Sequence, residues 1–251
     1  MKFTKKFIVS FSIIFLILLL SSFIFFKAGF RPPILMFDYS AQDKQKLSGM
    51  DKEIFVSQLK FLKEHNFRVV PLEELVRLSK EKKAYPKIVA ITLDGGYSNN
   101  LEIAKILKTF DFPATFFVTV NNINKEGYLG EEDLRHIARM APFSIGSGTL
   151  NNNNLALLSL FELEKEVFLS KKIIENIVEK EINAISYPLG QFNEDVLRAV
   201  ENSGYICGVG LDREVGKNTF SLGRIKITNK DTAKDLKRKL SGYYHILKIF
   251  R

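Results

Sequence analysis

From Ile34 to Ile227, short apolar runs rich in β-branched and aromatic residues alternate with longer stretches whose apolar residues recur at helical spacing. No other feature restricts the fold as much. The runs predict strands at Ile34–Phe37, Arg68–Val70, Ile88–Thr92, Ala114–Val120, Phe143–Gly146, Asn183–Tyr187, Tyr205–Val209 and Leu222–Ile227. Helices are expected at Asp51–Asn66, Leu72–Lys82, Leu101–Phe110, Glu131–Met140, Leu160–Lys180 and Glu194–Ser203. In the first of these, Ile54, Phe55, Gln58, Leu59 and Leu62 fall on one stripe, as a helix packed against a core requires. Several strand runs are apolar throughout, which suits parallel strands covered on both faces. Strand–helix alternation of this extent argues one α/β domain, either an open doubly wound sheet or a barrel. No internal repeat or interdomain linker interrupts it. The run Asn151–Asn154 marks a turn tolerant of left-handed backbone.

Ahead of this domain, Phe7–Phe26 is an uninterrupted stretch of 20 residues without a charge. As a helix it would span roughly 30 Å, the thickness of a bilayer's hydrocarbon core. Lys2, Lys5 and Lys6 precede it, so the positive-inside rule places the N-terminus in the cytoplasm and residues 32–251 outside. A cleavable signal peptide is the competing reading, but its apolar region would normally be about 7–15 residues and no good small-x-small cleavage site stands before Pro32. The expected organisation is a Lys cluster and anchor over residues 1–31, with the transmembrane helix at 7–26, then an extracytoplasmic domain over 32–251. The protein is thereby placed at the cell membrane with a single pass.

The net charge of +9 invites a nucleic-acid reading that its distribution opposes. Residues 1–31 carry +5 and residues 224–251 carry +7, leaving −3 for the span between. Lys226, Lys230, Lys234, Lys237, Arg238 and Lys239 cluster near the C-terminus; a solvated helix face explains them, with anionic lipid or polymer as the alternative partner. With 46% hydrophobic residues the chain is neither disordered nor collagen-like. One Cys, Cys207, cannot form an intramolecular disulfide and reads as a small buried hydrophobe.

In parallel α/β folds functional groups gather at the C-terminal ends of strands. Four such ends carry suggestive sequence: Met36-Phe37-Asp38-Tyr39, Thr92-Leu93-Asp94-Gly95-Gly96, Ile145-Gly146-Ser147-Gly148-Thr149 and Ser186-Tyr187-Pro188-Leu189-Gly190. Alone, Asp94 reads most simply as a helix cap or turn former. The four together, in this order and spacing, resemble the polysaccharide deacetylase family, the carbohydrate esterases with a chitooligosaccharide deacetylase domain. Pro33–Asp38 resembles the Pro-Ile-Leu-Met-Tyr-His opening of the biofilm-polysaccharide branch, and Thr92–Gly96 stands where the family has Thr-Phe-Asp-Asp-Gly. Pro113–Val118 follows as in the family. Ile145–Asn152 is similar to Ile-Gly-Ser-His-Thr-x-x-His, and Tyr187–Gly190 to Tyr-Pro-Tyr/Phe-Gly; Gly204-Tyr205 fits a later strand.

The resemblance implies a distorted (β/α)7 barrel, an N-acetylated polysaccharide or oligosaccharide as partner, and a divalent metal, usually zinc, held by one Asp and two His. Those ligand positions fall on Gly95, Gly148 and Asn152, which are not competent ligands, so no metal and no cofactor is expected. Asp94 matches the catalytic base, and Asp38, Asn152, Tyr187 and Leu189 match substrate-facing positions. The loss is serious: a metal takes the pKa of bound water from about 16 to about 7, on the order of 12 kcal/mol of hydroxide formation. An oxyanion donor near Leu189 would supply only about 3–4 kcal/mol. A non-catalytic or altered activity is therefore expected ahead of ordinary deacetylation. Asp38, Asp94 and Asn152 converging on a hard cation is a less favoured rescue. His65 and His136 lie on expected helices in solvated or capping roles; His245 would be only a distant echo of the family's late Leu-x-His.

Overall fold

The computed structural model describes residues 32–37, 51–81, 87–211, 218–241 and 244. The expected anchor at 7–26, Asp38 and His245 lie outside the described residues. Among the described residues no helix is long and apolar enough to cross a membrane.

The strands are β1 (Ile34–Phe37), β2 (Arg68–Val69), β3 (Ile88–Leu93), β4 (Ala114–Val118), β5 (Phe143–Ser147), β6 (Ala184–Ser186), β7 (Cys207–Leu211) and β8 (Leu222–Ile227). The helices are α1 (Lys52–Glu64), α2 (Leu72–Lys80), α3 (Asn100–Thr109), α4 (Glu131–Arg139), α5 (Leu160–Val178), α6 (Glu194–Asn202) and α7 (Ala233–Lys239). All strand pairings are parallel, and β1 bonds to β8 on one side and β3 on the other. Seven strands thus close a barrel. The short β2 pairs only with the start of β3, at Arg68↔Ile88 and Val69↔Val89, and stays outside the closure. Closure decides between the two architectures left open by alternation: the fold is the distorted (β/α)7 barrel.

Side-chain alternation along the strands divides the core in two. Val89, Ile91 and Leu93 face the helices with Leu35, Phe37 and Phe116, in the larger apolar cluster. Ile34, Ala90, Phe117, Ala184, Cys207 and Val209 form a second cluster that fills the barrel. Leu72, Leu75 and Val76 of α2 join that second cluster, so α2 closes the barrel at the N-terminal ends of its strands. The helices begin where capping side chains stop the preceding loop: Asp51 accepts from the Ile54 N–H at 3.0 Å, and Ser159 with Glu162 forms a capping box on α5. Each cap stabilises its helix by about 1 kcal/mol. His65 caps α1, its Nδ1 3.0 Å from the Phe61 carbonyl, and His136 is exposed on α4, so neither belongs to a metal site.

Helix α7 was not among the expected elements, and it alters the reading of the basic cluster. Thr232 and Asp235 form its capping box. Lys239 is buried rather than solvated, its Nζ 2.6 Å from Asp231 Oδ1 and 2.6 Å from the Lys226 carbonyl. Arg238 pairs with Asp235 at 3.3 Å. Part of the positive charge therefore holds the C-terminal helix to β8.

Three buried acids make the fold sensitive to alkali. Burial pushes the Cys207 thiol and the Tyr187 hydroxyl well above their ordinary ranges, and pushes Tyr205 from 10.0 to about 12 against the lowering effect of Ser147 and Ser170. Groups whose pKa is raised on folding contribute stability that is complete below their unfolded pKa and is lost as pH rises toward the folded one. The denaturation midpoint should therefore hold steady below about pH 9 and fall between about pH 9 and 12, with Tyr205→Phe reducing the slope. Urea titrations across that range check this; a flat profile would contradict the burial of these groups.

Candidate functional site

Asp94 stands just beyond the C-terminal end of β3, its side chain 27% exposed. Both carboxylate oxygens accept from Arg224, Oδ1 from Nη1 at 2.6 Å and Oδ2 from Nη2 at 2.7 Å. Arg224 is 1% exposed and crosses the barrel from β8. Its Nη2 donates to Ser186 Oγ on β6 at 2.8 Å, Nη1 to Thr92 Oγ1 on β3 at 3.3 Å, and Nε to the Gly210 carbonyl on β7 at 3.2 Å. Its guanidinium lies 5.4 Å from the centroid of the Phe117 ring on β4. Ser186 Oγ in turn donates to Asp94 Oδ2 at 3.3 Å. The bidentate planar fork and the Ser186 hydroxyl fix the carboxylate and together take three of its four lone-pair directions. The remaining capacity faces the mouth as an acceptor.

The loop after β5 forms the next wall. Glu166 of α5, 4% exposed, accepts from the backbone N–H groups of Leu150 at 3.0 Å and Asn151 at 2.9 Å, and from Asn151 Nδ2 at 2.5 Å. Thr149 and Asn152 adopt left-handed backbone, φ 66 and φ 59, and the Asn152 N–H donates to Thr149 Oγ1 at 3.0 Å. A β-branched residue in that region is strained and persists only where its surroundings over-determine it. After β6, Leu189 is also left-handed, φ 56, and is 70% exposed.

A family metal would need side chains at positions 95, 148 and 152, and the residues present do not fit one. Gly95 has φ 95, and a Cβ there would lie 2.3 Å from Tyr97 Cε2, so the ring of Tyr97 fills the space a ligand side chain needs. A Cβ on Gly148 would press on Thr119 Oγ1 and the Val118 backbone at 3.2 Å. Asn152 is exposed and offers a neutral amide. Among the described residues no three His, Cys, Asp or Glu side chains group as a metal would require. Restoring an acid at 95 therefore meets strain before it meets a metal. Gly95→Asp should cost about 1–3 kcal/mol of stability and confer no zinc binding. Denaturant titration beside zinc calorimetry checks this; a stable variant binding zinc tightly would show that Tyr97 yields without cost.

The structure brings Asp94, Asn152 and Leu189 to the C-terminal face of the barrel. Tyr187 is placed differently: it is 2% exposed, and its hydroxyl donates to the Phe220 carbonyl at 2.6 Å. It is a core residue supporting the loop after β6, not a surface for substrate. Arg224, Glu166 and Tyr97 have no part in the sequence motifs, where Ser186 appears only as the first residue of the strand end Ser186–Gly190. For Arg224 a signal existed, since in Leu222-Gly223-Arg224-Ile225 it falls on the inward parity, opposite to Ile225 and Ile227. Glu166 carried none, because one acid among the four Glu and Lys of α5's first half resembles a solvated face.

Comparison with known proteins agrees with this architecture. A model of the family described as polysaccharide deacetylase matches residues 81–208, just over half of the chain. A Bacillus subtilis protein named as a polysaccharide deacetylase, YxkH, is 31% identical over 201 residues, covering 78% of this chain and 71% of that protein. The poly-beta-1,6-N-acetyl-D-glucosamine N-deacetylase of Staphylococcus aureus is 25% identical over 235 residues, covering 87% and 80%. Among solved structures, the Streptococcus pyogenes deacetylase PplD in complex with acetate superposes with a TM-score of 0.73 at 22% identity, covering 83% of this chain and 97% of that one. Sequence, barrel and relatives converge: the chain belongs to the polysaccharide deacetylase family.

Proposed function

We propose that this protein is a membrane-anchored member of the family that binds an extracytoplasmic N-acetylated polysaccharide without hydrolysing it. One observation carries the reading: the three positions that would hold the family's metal are Gly95, Gly148 and Asn152, with Tyr97 filling the space at 95, while Asp94 keeps a fixed acceptor at the mouth. Amide hydrolysis needs an acidified water and a stabilised oxyanion. Without a metal, neither Asp94 nor a backbone donor near Leu189 supplies the roughly 12 kcal/mol involved. Recognition of hydroxyl and acetamido groups needs no such activation. Poly-β-1,6-N-acetylglucosamine, named for the Staphylococcus aureus relative, is the first glycan to test.

The tether is consistent with this role. Seven residues separate Phe26 from Ile34, at most roughly 25 Å when extended. They lead into the N-terminal end of β1, and in a parallel barrel the mouth lies at the opposite end, roughly 20 Å away along a six-residue strand. A barrel tethered at that end can present its binding face away from the bilayer, toward an extracellular polymer.

The test uses the full chain in detergent with a β-1,6-linked N-acetylglucosamine pentamer. Binding is expected to be the same with zinc, with cobalt and with EDTA, and no acetate should be released. Acetate release that is restored by zinc after EDTA would establish an active deacetylase and overturn the reading.

A further inference from the structure

We propose that Tyr97 and Tyr128 form an aromatic wall at the barrel mouth that stacks on the apolar face of a pyranose ring, next to the Asp94 carboxylate that accepts from its polar groups. This deepens the glycan-binding reading and rests on it.

The pairing is built into the backbone. Tyr97 and Tyr128 form an isolated antiparallel bridge, the Ser98 N–H donates to the Gly127 carbonyl at 3.0 Å, and the Leu129 N–H to the Gly96 carbonyl at 2.9 Å. The segment after β3 and the loop before α4 are thereby sewn together, and the two rings stack with centroids 5.2 Å apart at 27°. Both residues are half-buried. Two large aromatics held in register by the two backbone hydrogen bonds of this bridge are not needed to close the barrel, whose apolar clusters include neither ring.

Position gives the pair its meaning. The Tyr97 ring lies over Gly95, within 2.3–2.9 Å of where a Cβ would stand, and Gly95 follows Asp94 directly. Across the mouth, Ser186 bonds to Asp94 at 3.3 Å and leads three residues later to the exposed Leu189. An anionic acceptor between an aromatic wall and an aliphatic rim matches a sugar ring, which has an apolar C–H face and a polar edge of hydroxyl and amide donors. An aromatic body with a polar tip binds such a surface at low cost in side-chain order. A phosphorylated or strongly acidic ligand is disfavoured, because the carboxylate would face it.

The experiment uses the full chain in detergent and the β-1,6-linked N-acetylglucosamine pentamer, with calorimetry for affinity and saturation-transfer NMR for contact. Saturating the tyrosine rings should mark the C–H protons on one face of the sugar. Tyr97→Phe and Tyr128→Phe should bind within about twofold of the parent, whereas Tyr128→Leu and Tyr97→Leu should lose roughly tenfold. The Phe variants keep packing and so separate lost stacking from lost folding. If both Leu variants bind like the parent while Asp94→Asn weakens binding, the aromatic wall is overturned and glycan binding stands. If the parent binds no pentamer, both are overturned.

Discussion

Asp94→Ala should lower stability by about 3–5 kcal/mol, because it strands the Arg224 guanidinium inside the barrel without its counter-charge. For a domain of this size that is a fall in Tm on the order of 10 °C. Arg224 is 1% exposed, and its remaining partners, Ser186, Thr92 and the Gly210 carbonyl, are neutral. Arg224→Met should cost a similar amount by leaving Asp94 unpaired above a barrel filled with apolar side chains. The double variant Asp94→Leu/Arg224→Met removes both charges and should fall well short of the sum of the single losses, since a buried pair replaced together by apolar groups is often close to neutral. Thermal melts of the four proteins check this. Additive single losses, or an Asp94→Ala variant melting within about 2 °C of the parent, would mean that the pair does not hold the barrel. The result also bears on function. Lost binding in Asp94→Ala is ambiguous between a missing acceptor and a loosened floor; Asp94→Asn, which keeps an oxygen toward Arg224, is the better probe.

The sequence exposed the barrel more readily than the site, for a physical reason. Strand runs such as Ile88–Leu93 and amphipathic helices such as Lys52–Glu64 bury their pattern locally, so periodicity alone places them. The strand ends at Asp94, Gly148 and Leu189 were legible from motif order, and the empty ligand positions from residue chemistry. What escaped depends on contacts between distant segments. Arg224 reaches Asp94 across 130 residues, and nothing near either one announces the other. The Tyr97 ring entering the space at Gly95 follows from the backbone turn there and from the bridge to Tyr128, neither of which has a local signature. Helix α7 escaped for a different cause: at seven residues it shows too little periodicity, and its stability comes from the Thr232 cap and the buried Lys239–Asp231 pair. Tyr187 matches the ligand side by motif position alone, yet alternation along β6 places its ring with Ile185 in the cluster that faces the helices, where its hydroxyl donates to the Phe220 carbonyl.

Glu166→Leu should cost about 3 kcal/mol and loosen the wall after β5 while the barrel stays closed. The carboxylate accepts from two backbone N–H groups, from Asn151 Nδ2 at 2.5 Å and from Asn153 Nδ2 at 3.5 Å. Charge-assisted hydrogen bonds of this kind are about twice as strong as neutral ones, and a buried donor left without an acceptor carries its own penalty. Glu166→Gln should cost less than Leu but still weaken the loop, because its amide nitrogen turns a donor toward donors. Hydrogen exchange separates loop from barrel: protection should fall at Leu150 and Asn151 and persist at Val89 and Ile91 of β3. The left-handed turns at Thr149 and Asn152 depend on this anchoring, so the strain they carry should relax when it goes. Unchanged protection at Leu150 and Asn151 would show that Glu166 does not hold the loop. In a metal-dependent site of this geometry a cation would order the segment carrying its ligands; here an anion from α5 orders it through backbone donors. EDTA should therefore leave Leu150 and Asn151 as protected as before, and glycan affinity should respond to Glu166→Leu but not to the chelator.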